Sequence, residues 1–244
     1  EHAIRVTGKN ALAHNNLGIA LKEKGRISES IYQYEMAIKL NPGYAPAHNN
    51  LGNALFDKGK IEEAIYHYKM AIKFMPTHAE AYNNLGIVLV AEQKKEEAVS
   101  HYKTAIRLRP GYTEAHYHLG NALFSMNETE EASSHYKMAI ELKPDFAAAH
   151  NNLGNALSAE RKIEEAIYHY KMAIELKPGY AEAHYHLGNI LVQTGEIKEA
   201  VGHYRETLRL KPNFVLAQKN LERALLLAGK MEKFKNQPIK NLSD

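Results

Sequence analysis

Histidine is the residue type in this sequence whose number and spacing could support chemistry. The 244-residue chain contains 14 histidines and no cysteine. A neutral imidazole can bind a metal ion or act as a general base near neutral pH. Most of the histidines form two sets whose members recur at intervals of 34 or 68 residues: His14, His48, His116, His150 and His184 in one, and His67, His101, His135, His169 and His203 in the other.

The regular spacing of these histidines argues against a metal centre. Copies of one position in a repeat lie about one repeat apart in space, whereas the bonds between zinc and nitrogen are ~2 Å long. Members of one set therefore cannot bind one ion together. We interpret the histidines as packing residues, and we predict no metal site and no cofactor.

Paired glutamates are the second candidate for chemistry, as acids and bases. They recur with the same period, at Glu62-Glu63, Glu96-Glu97, Glu130-Glu131 and Glu164-Glu165. Each pair stands where a helix is expected to begin, and acidic side chains there complement the helix dipole. The sequence also lacks a GxSxG elbow and a HExxH pair. We therefore predict that this segment is not an enzyme.

Charge and hydropathy exclude two further classes of partner. The 31 basic and 28 acidic residues nearly balance, for a net charge of +3, so no strong polyanion partner is indicated and we predict no nucleic acid. No uninterrupted apolar run approaches the ~20 residues that a spanning helix needs. We accordingly predict no membrane insertion by this segment.

The sequence is organised by an internal repeat of 34 residues. Proline, glycine and tyrosine each recur six times at this interval: Pro42, Pro76, Pro110, Pro144, Pro178 and Pro212; Gly18, Gly52, Gly86, Gly120, Gly154 and Gly188; Tyr34, Tyr68, Tyr102, Tyr136, Tyr170 and Tyr204. Six units fill residues 11–214, and position 1 of the units is Ala11, Ala45, Ala79, Thr113, Ala147 and Ala181. A repeat of this length indicates stacked supersecondary units.

Each unit is predicted to contain two helices. Positions 4, 7, 8 and 11 lie on one helical stripe, and positions 17, 20, 21, 24, 27 and 28 lie on a second. A turn such as Lys24-Gly25-Arg26 separates them, with Asn127 in place of glycine, and the proline ends the second helix. The glycine at position 8 is expected to let two helix backbones approach closely.

With these positions in place, the sequence resembles the tetratricopeptide repeat family over residues 11–214. The aromatic-Leu-Gly, Ala, aromatic, Ala and Pro positions match, although position 4 is mostly histidine, and Ser30 and Thr207 replace alanines. The resemblance implies an all-α solenoid of antiparallel helix pairs that forms a right-handed superhelix. It also implies that the first helices line the concave face.

The flanks extend the pattern on both sides. Residues 1–10 match part of a second helix when shifted by 34, so we interpret them as the remnant of a preceding repeat and expect the natural protein to extend upstream. Residues 215–235 are predicted to form a C-terminal capping helix with a polar outer face. Residues 236–244 are polar and contain a proline, which is typical of a tail or linker.

The binding prediction rests on a column of amides along the first helices. Position 6 reads Asn16, Asn50, Asn84, His118, Asn152, His186 and, in the cap, Asn220, while position 9 adds Asn53, Asn121, Asn155 and Asn189. An amide both donates and accepts hydrogen bonds, and so can pair with the backbone of an extended peptide. Nearby aromatic residues could add apolar contacts: Phe56, Tyr117, Phe124 and Tyr185. The alternative is that the amides bridge neighbouring helices.

Runs such as Ala-His-Asn-Asn-Leu-Gly-Asn-Ala-Leu (47–55 and 149–157) resemble the repeats of the O-linked N-acetylglucosamine transferase type and their bacterial relatives. There, an asparagine ladder holds extended protein substrates. The resemblance would give this role to Asn16, Asn50, Asn84, Asn152 and Asn220, with His118 and His186 interrupting the ladder. The family's clamp for carboxylate tails needs lysine or arginine at positions 2 and 6, and position 6 is never lysine or arginine here.

We therefore predict a protein–protein interaction scaffold that binds an extended peptide or partner protein in the concave groove. Two alternatives stay open. The segment could be the substrate-recruiting arm of a multidomain, glycosyltransferase-like enzyme, or it could be a self-assembly module in which the end of one array docks into the groove of another.

Overall fold

The computed structural model describes the backbone of residues 2–235 and the side chains of residues 10–229, and in this part of the chain all regular structure is α-helical. The all-α class predicted from the sequence is confirmed. The helices are α1 His2–Glu23, α2 Ile27–Leu40, α3 Ala45–Asp57, α4 Ile61–Phe74, α5 Ala79–Ala91, α6 Lys95–Leu108, α7 Thr113–Ser125, α8 Thr129–Leu142, α9 Ala147–Ala159, α10 Ile163–Leu176, α11 Ala181–Thr194, α12 Ile197–Leu210 and α13 Val215–Lys235.

The helices fall into two compact units, Glu1–Asn127 and Glu128–Asp244. In each unit the odd-numbered first helices contact the next first helix along the chain (α1 with α3, α3 with α5 and α5 with α7; α9 with α11 and α11 with α13). Among the described helices, no two second helices of one unit are in comparable contact. The first helices are therefore the more closely packed layer of each unit. We call the surface that this layer turns away from the second helices the inner side.

Helix starts follow the charge pattern expected from the sequence. Glu62 and Glu63 lie in the first turn of α4, and the equivalent pairs open α6, α8 and α10. These carboxylates face the positive end of the helix dipole. The prediction that the paired acids open second helices is confirmed.

The glycine at position 8 makes room for a ring, which corrects the sequence-based expectation of a close backbone contact. A Cβ added to Gly86 would lie 2.6 Å from Cε1 of Tyr102, and one on Gly52 would lie 2.7 Å from Cε1 of Tyr68. Both tyrosines are 1% exposed. The glycine on the first helix therefore makes room for the tyrosine at position 24 of the second helix, and the same contact recurs at Gly18, Gly154 and Gly188.

The turn between the two helices of a repeat requires a left-handed residue at position 15. Gly25, Gly59 and Gly195 have φ of 73°, 73° and 86° there. The sequence indicated one substitution, Asn127, but Gln93 and Arg161 also occupy this position with φ of 62°. Side chains other than glycine pay a steric cost in this region, so three of the six turns carry backbone strain.

The two ends of the chain differ from the internal repeats. Helix α1 runs from His2 to Glu23 without a turn, so residues 2–10 share one helix with the first helix of repeat 1. Their interpretation as a remnant of a preceding repeat stays a prediction. Helix α13 lies where the capping helix was predicted, and the predicted tail at 236–244 lies outside the described residues. None of the described helices is long and apolar enough to cross a membrane.

Candidate functional site

The asparagine column follows the first helices, and its members are only partly accessible. Asn16 is exposed, whereas Asn50, Asn84, Asn152 and Asn220 are half-buried, as are His118 and His186. The asparagines at position 9 are also half-buried. These side chains thus reach the inner side without standing free in solvent, which makes their hydrogen-bond partners decisive.

The asparagines at position 6 bridge consecutive first helices. Asn50 Nδ2 donates to Asn15 Oδ1 across 2.9 Å, and Asn84 Nδ2 donates to Asn49 Oδ1 across 3.0 Å. In the cap, Asn220 Nδ2 donates to the hydroxyl oxygen of Tyr185 at 3.3 Å. We call the packing contact between one first helix and the next a junction, whether or not a hydrogen bond bridges it. These amides therefore do bridge neighbouring first helices, as the alternative interpretation of the column predicted.

Bridging leaves part of each amide available. A primary amide has two N–H donors and an oxygen with two lone pairs. The bridge of Asn50 occupies one donor; Asn84 uses one donor and also accepts a hydrogen bond from Asn83 Nδ2 at 3.3 Å. Each of these two amides is thus fixed in orientation by its bridge and keeps both a donor and an acceptor site.

The asparagines at position 9 are oriented by the tyrosines beneath them. The hydroxyls of Tyr68, Tyr170 and Tyr204 donate to Oδ1 of Asn53, Asn155 and Asn189 at 2.7, 2.9 and 2.9 Å, respectively. The tyrosine hydroxyl occupies one lone pair of each amide oxygen and leaves the NH₂ group for other partners. Position 9 therefore offers donors on amides that the tyrosines hold in place.

The two histidines of the column do not form the bridge. His118 stacks on Tyr102 with ring centroids 5.9 Å apart, and His186 stacks on Tyr170 at 5.8 Å. At these junctions the oxygens that would accept the bridge, Oδ1 of Asn83 and Oδ1 of Asn151, are buried without a hydrogen-bond partner. An unpaired buried acceptor costs about 1–3 kcal/mol, so the histidine junctions are the weaker ones.

Burial keeps these histidines uncharged. Desolvation lowers the pKa of His118, and the nearby carboxylate of Glu114 opposes it only partly. The pKa of His186 is lowered by burial in the same way, against the carboxylate of Glu182. Near neutral pH, neither ring therefore adds a positive charge to the inner side.

The four aromatic candidates are all half-buried, but Tyr185 is already engaged. Its ring packs against Phe214 with centroids 4.8 Å apart, and its hydroxyl accepts the hydrogen bond from Asn220. Tyr117 lies edge-on to His118 at 5.5 Å. Phe56 and Phe124 stand at position 12, three residues along the same helix from the asparagines at position 9.

Histidine pairs inside the repeats were missed from the sequence. His48 Nε2 donates to the carbonyl oxygen of Pro42 at 3.0 Å, which leaves its Nδ1 as the acceptor for the Nδ1–H of His67 at 3.0 Å. The same arrangement joins His150 to His169 and His184 to His203. The spacing argument compared copies of one position, whereas these pairs join positions 4 and 23 of one repeat. Within the described residues, no three histidine or acidic side chains are grouped so as to hold a metal ion.

Two cavities, one in each unit, lie at junctions between first helices and are built from the same six repeat positions. The first has a volume of about 310 Å³ and the second of about 360 Å³. The shared positions are filled by Ile87, Val90, Tyr102, His118, Asn121 and Ala122 in the first, and by Asn189, Val192, Tyr204, Asn220, Arg223 and Ala224 in the second.

Side-chain size accounts for these cavities. Each has valine at position 12 of one helix and alanine at position 10 of the next. At the junction of α3 and α5, the same two positions are filled by the larger Phe56 and Val88. The smaller side chains leave more space over the tyrosine than Phe56 and Val88 would.

Comparison with known proteins identifies the repeat. A family model described as a TPR repeat matches residues 20–59, 52–93, 88–127, 120–160 and 159–195, and one described as a tetratricopeptide repeat matches residues 181–214. No curated protein matched the chain.

Several solved structures share the fold. PilF of Pseudomonas aeruginosa is 19% identical with a TM-score of 0.80, over 87% of this chain and 97% of its own. A chain of the Cut9–Hcn1 APC/C hetero-tetramer is 22% identical with a TM-score of 0.78; the match covers 88% of this chain but only 43% of that one. YrrB, described as a TPR protein with an unusual peptide-binding site, is 25% identical with a TM-score of 0.65, over 76% of this chain and 96% of its own.

Proposed function

This chain belongs to the tetratricopeptide repeat family, and on that premise we propose that it holds an extended peptide of a partner protein against its first helices. Its fold is that of a helical repeat scaffold, a class suited to protein–protein interaction. YrrB, a structural neighbour, is described as having a peptide-binding site. The proposal assigns the binding to the inner side of each unit.

One observation carries the proposal: hydrogen bonds hold the column amides in place, and each amide still has groups that can bind a peptide. The bridges of Asn50 and Asn84 fix their orientation and leave a donor and an acceptor on each amide. An extended peptide offers alternating N–H and C=O groups that match such pairs. Since the protein side is already ordered, binding loses less conformational entropy.

The asparagines at position 9 extend this recognition. With their oxygens engaged by tyrosine hydroxyls, Asn53, Asn155 and Asn189 direct N–H donors to the inner side. Their natural partners are peptide carbonyl oxygens. The two positions together would favour backbone contacts and leave selectivity to the cavities and aromatic residues nearby.

The test starts from a peptide selected from a random display library on the purified chain. The double variant Asn84→Asp with Asn152→Asp should weaken binding of that peptide at least tenfold, because each carboxylate loses the amide donors. Fluorescence anisotropy with the labelled peptide measures the change, and circular dichroism checks that the helices persist.

The bridge supplies a matched control. Asn49→Leu removes the acceptor of the bridge from Asn84 but leaves the amide of Asn84 in the column. Affinity should fall less than in the aspartate double variant, because Asn84 loses one orienting hydrogen bond but keeps its amide donors. Unchanged affinity in the aspartate double variant would refute groove binding by the column, and equal losses in both variants would assign the amides to bridging alone.

A further inference from the structure

The cavity of the second unit differs from its counterpart in one chemical respect. It lies between α11 and α13, and position 9 of the cap is Arg223, whereas every complete repeat has asparagine or isoleucine at that position. None of the described residues that line the cavity is acidic. Arg223 thus places an unopposed positive charge at an amide-rich cavity.

The hydrogen bonds around the cavity make it a donor site. Oδ1 of Asn189 accepts from the hydroxyl of Tyr204 at 2.9 Å and from Asn220 Nδ2 at 2.8 Å. Two hydrogen bonds fill the two lone pairs of an amide oxygen. Asn189 therefore has only its NH₂ group to offer, next to the guanidinium of Arg223.

The charge of Arg223 acts on the hydroxyl of Tyr204, which also lines the cavity. Burial and the nearby Tyr185 raise the pKa of Tyr204 to about 12, while the hydrogen bond from Asn220 and the charge of Arg223 act in the opposite direction. The tyrosine hydroxyl therefore stays protonated and continues to hold the oxygen of Asn189. The donor character of the cavity does not depend on pH in the physiological range.

The remaining lining residues are the apolar Val192 and Ala224 and the exposed Gln193. Val192 and Ala224 lie beside the polar groups. A ligand that suits both parts has a short aliphatic stem and a single carboxylate. A glutamate side chain has two methylenes and one carboxylate, and a volume of about 360 Å³ admits it together with adjoining backbone.

We propose that this cavity is a glutamate subsite of the peptide groove, in which Arg223 and the NH₂ group of Asn189 hold the side-chain carboxylate. This inference rests on the proposed function. The counterpart cavity in the first unit lacks the site because it has Ile87 and Asn121 in place of Asn189 and Arg223. Its cation, Lys95, donates to the carbonyl oxygen of Ser125 at 3.3 Å.

The experiment uses the full chain and labelled pentapeptides with blocked ends, Ala-Ala-Glu-Ala-Ala and Ala-Ala-Gln-Ala-Ala. At low ionic strength the glutamate peptide should bind about tenfold more tightly, because hydrogen bonds to charged groups are roughly twice as strong as neutral ones. Arg223→Gln should abolish this preference. Lys219→Gln removes the same charge from an exposed position on the same helix, and it should leave the preference intact.

A third peptide, the glutamine sequence with a free C-terminal carboxylate, separates the two sources of a carboxylate. Tighter binding of this peptide than of the glutamate peptide would overturn the glutamate assignment. So would an absent preference between the blocked peptides, or an equal effect of Lys219→Gln and Arg223→Gln. If the library-selected peptide still binds through Asn84 and Asn152, such results overturn the subsite alone; if it does not, the proposed function fails separately.

Discussion

Each unit contains two kinds of junction between first helices. Where position 6 is asparagine, at Asn50, Asn84 and Asn220, an amide N–H closes the gap to the preceding first helix, and the preceding repeat turns through a glycine. Where it is histidine, at His118 and His186, the ring stacks on a tyrosine and a buried amide oxygen is left unpaired. The repeats before these two junctions turn through Gln93 and Arg161.

The comparison shows that repeats with the same fold are joined by junctions of unequal stability. An asparagine junction gains a hydrogen bond and an unstrained turn, and a histidine junction has neither. Stability in repeat arrays is approximately a sum of repeat and nearest-neighbour terms. The contacts that continue from α5 to α7 and from α9 to α11 should therefore be the first to loosen within their units.

Acidification is expected to give the largest effect, through the histidine pairs inside the repeats. Burial and the neighbouring His48 lower the pKa of His67 to about 4, and His169 beside His150 behaves alike. The unfolded chain, with histidines near pKa 6.5, then binds more protons than the folded chain. The unfolding free energy should be at its maximum above pH 6.5 and should decrease steadily as the pH drops towards 4. Urea denaturation at a series of pH values measures this change.

Glutamine is a natural control for the histidine pairs. Gln33 occupies position 23 of the first repeat and hydrogen-bonds to His14 at 2.7 Å. The double variant His67→Gln with His169→Gln should therefore keep a hydrogen bond at both sites and show a shallower pH dependence. A stability that stays constant between pH 7 and pH 5 in the unmodified protein would contradict the pairing argument.

Asn50→His converts an asparagine junction into a histidine junction. It removes the donor to Asn15, a residue only 4% exposed, and leaves a buried oxygen unpaired. The unfolding free energy should fall by about 1–3 kcal/mol, measured by urea denaturation. Asn16→His changes an exposed member of the column and should cost much less; equal costs would show that the bridge does not stabilise the junction.

His118→Asn makes the reverse change. The new amide can donate to Asn83 Oδ1, which is buried and unpaired, so the unfolding free energy should rise by about 1 kcal/mol. The same substitution in an Asn83→Leu background should bring no gain. A loss of stability in the single variant would mean that the stacking of His118 on Tyr102 outweighs the missing bridge.

Arg161→Gly should have the smallest effect. Glycine adopts the positive φ of 62° at this turn without a steric penalty, but it also gains entropy in the unfolded chain. We expect a net stabilisation of roughly 0.5 kcal/mol. Lys162→Gly, at the adjacent residue with φ of −86°, should destabilise instead, and a loss in both variants would rule out strain at Arg161.

Most of the fold followed from patterns that lie within one repeat. The spacing of proline, glycine and tyrosine predicted the helix pairs, and the paired glutamates predicted where second helices begin. The site was harder, because Asn15 and Asn49, the acceptors of the bridges, stand at position 5 and were not considered. Their own recurrence 34 residues apart was a signal that could have found them. The pairs His48–His67 and His150–His169 escaped because they join two different repeat positions.

The sequence by itself determined the helical repeat, its period and the family, since helix stripes, turns and stops are encoded by residues close together in the chain. The tertiary structure decided which groups of each asparagine remain available. Asn50 meets its partner 35 residues away, and Asn53 is oriented by a tyrosine on another helix. Hydrogen bonds depend on tenths of an ångström and on angle, and helix packing alone fixes these. The sequence predicted the amide column, but it did not show which amide groups bridge helices and which remain available to a partner.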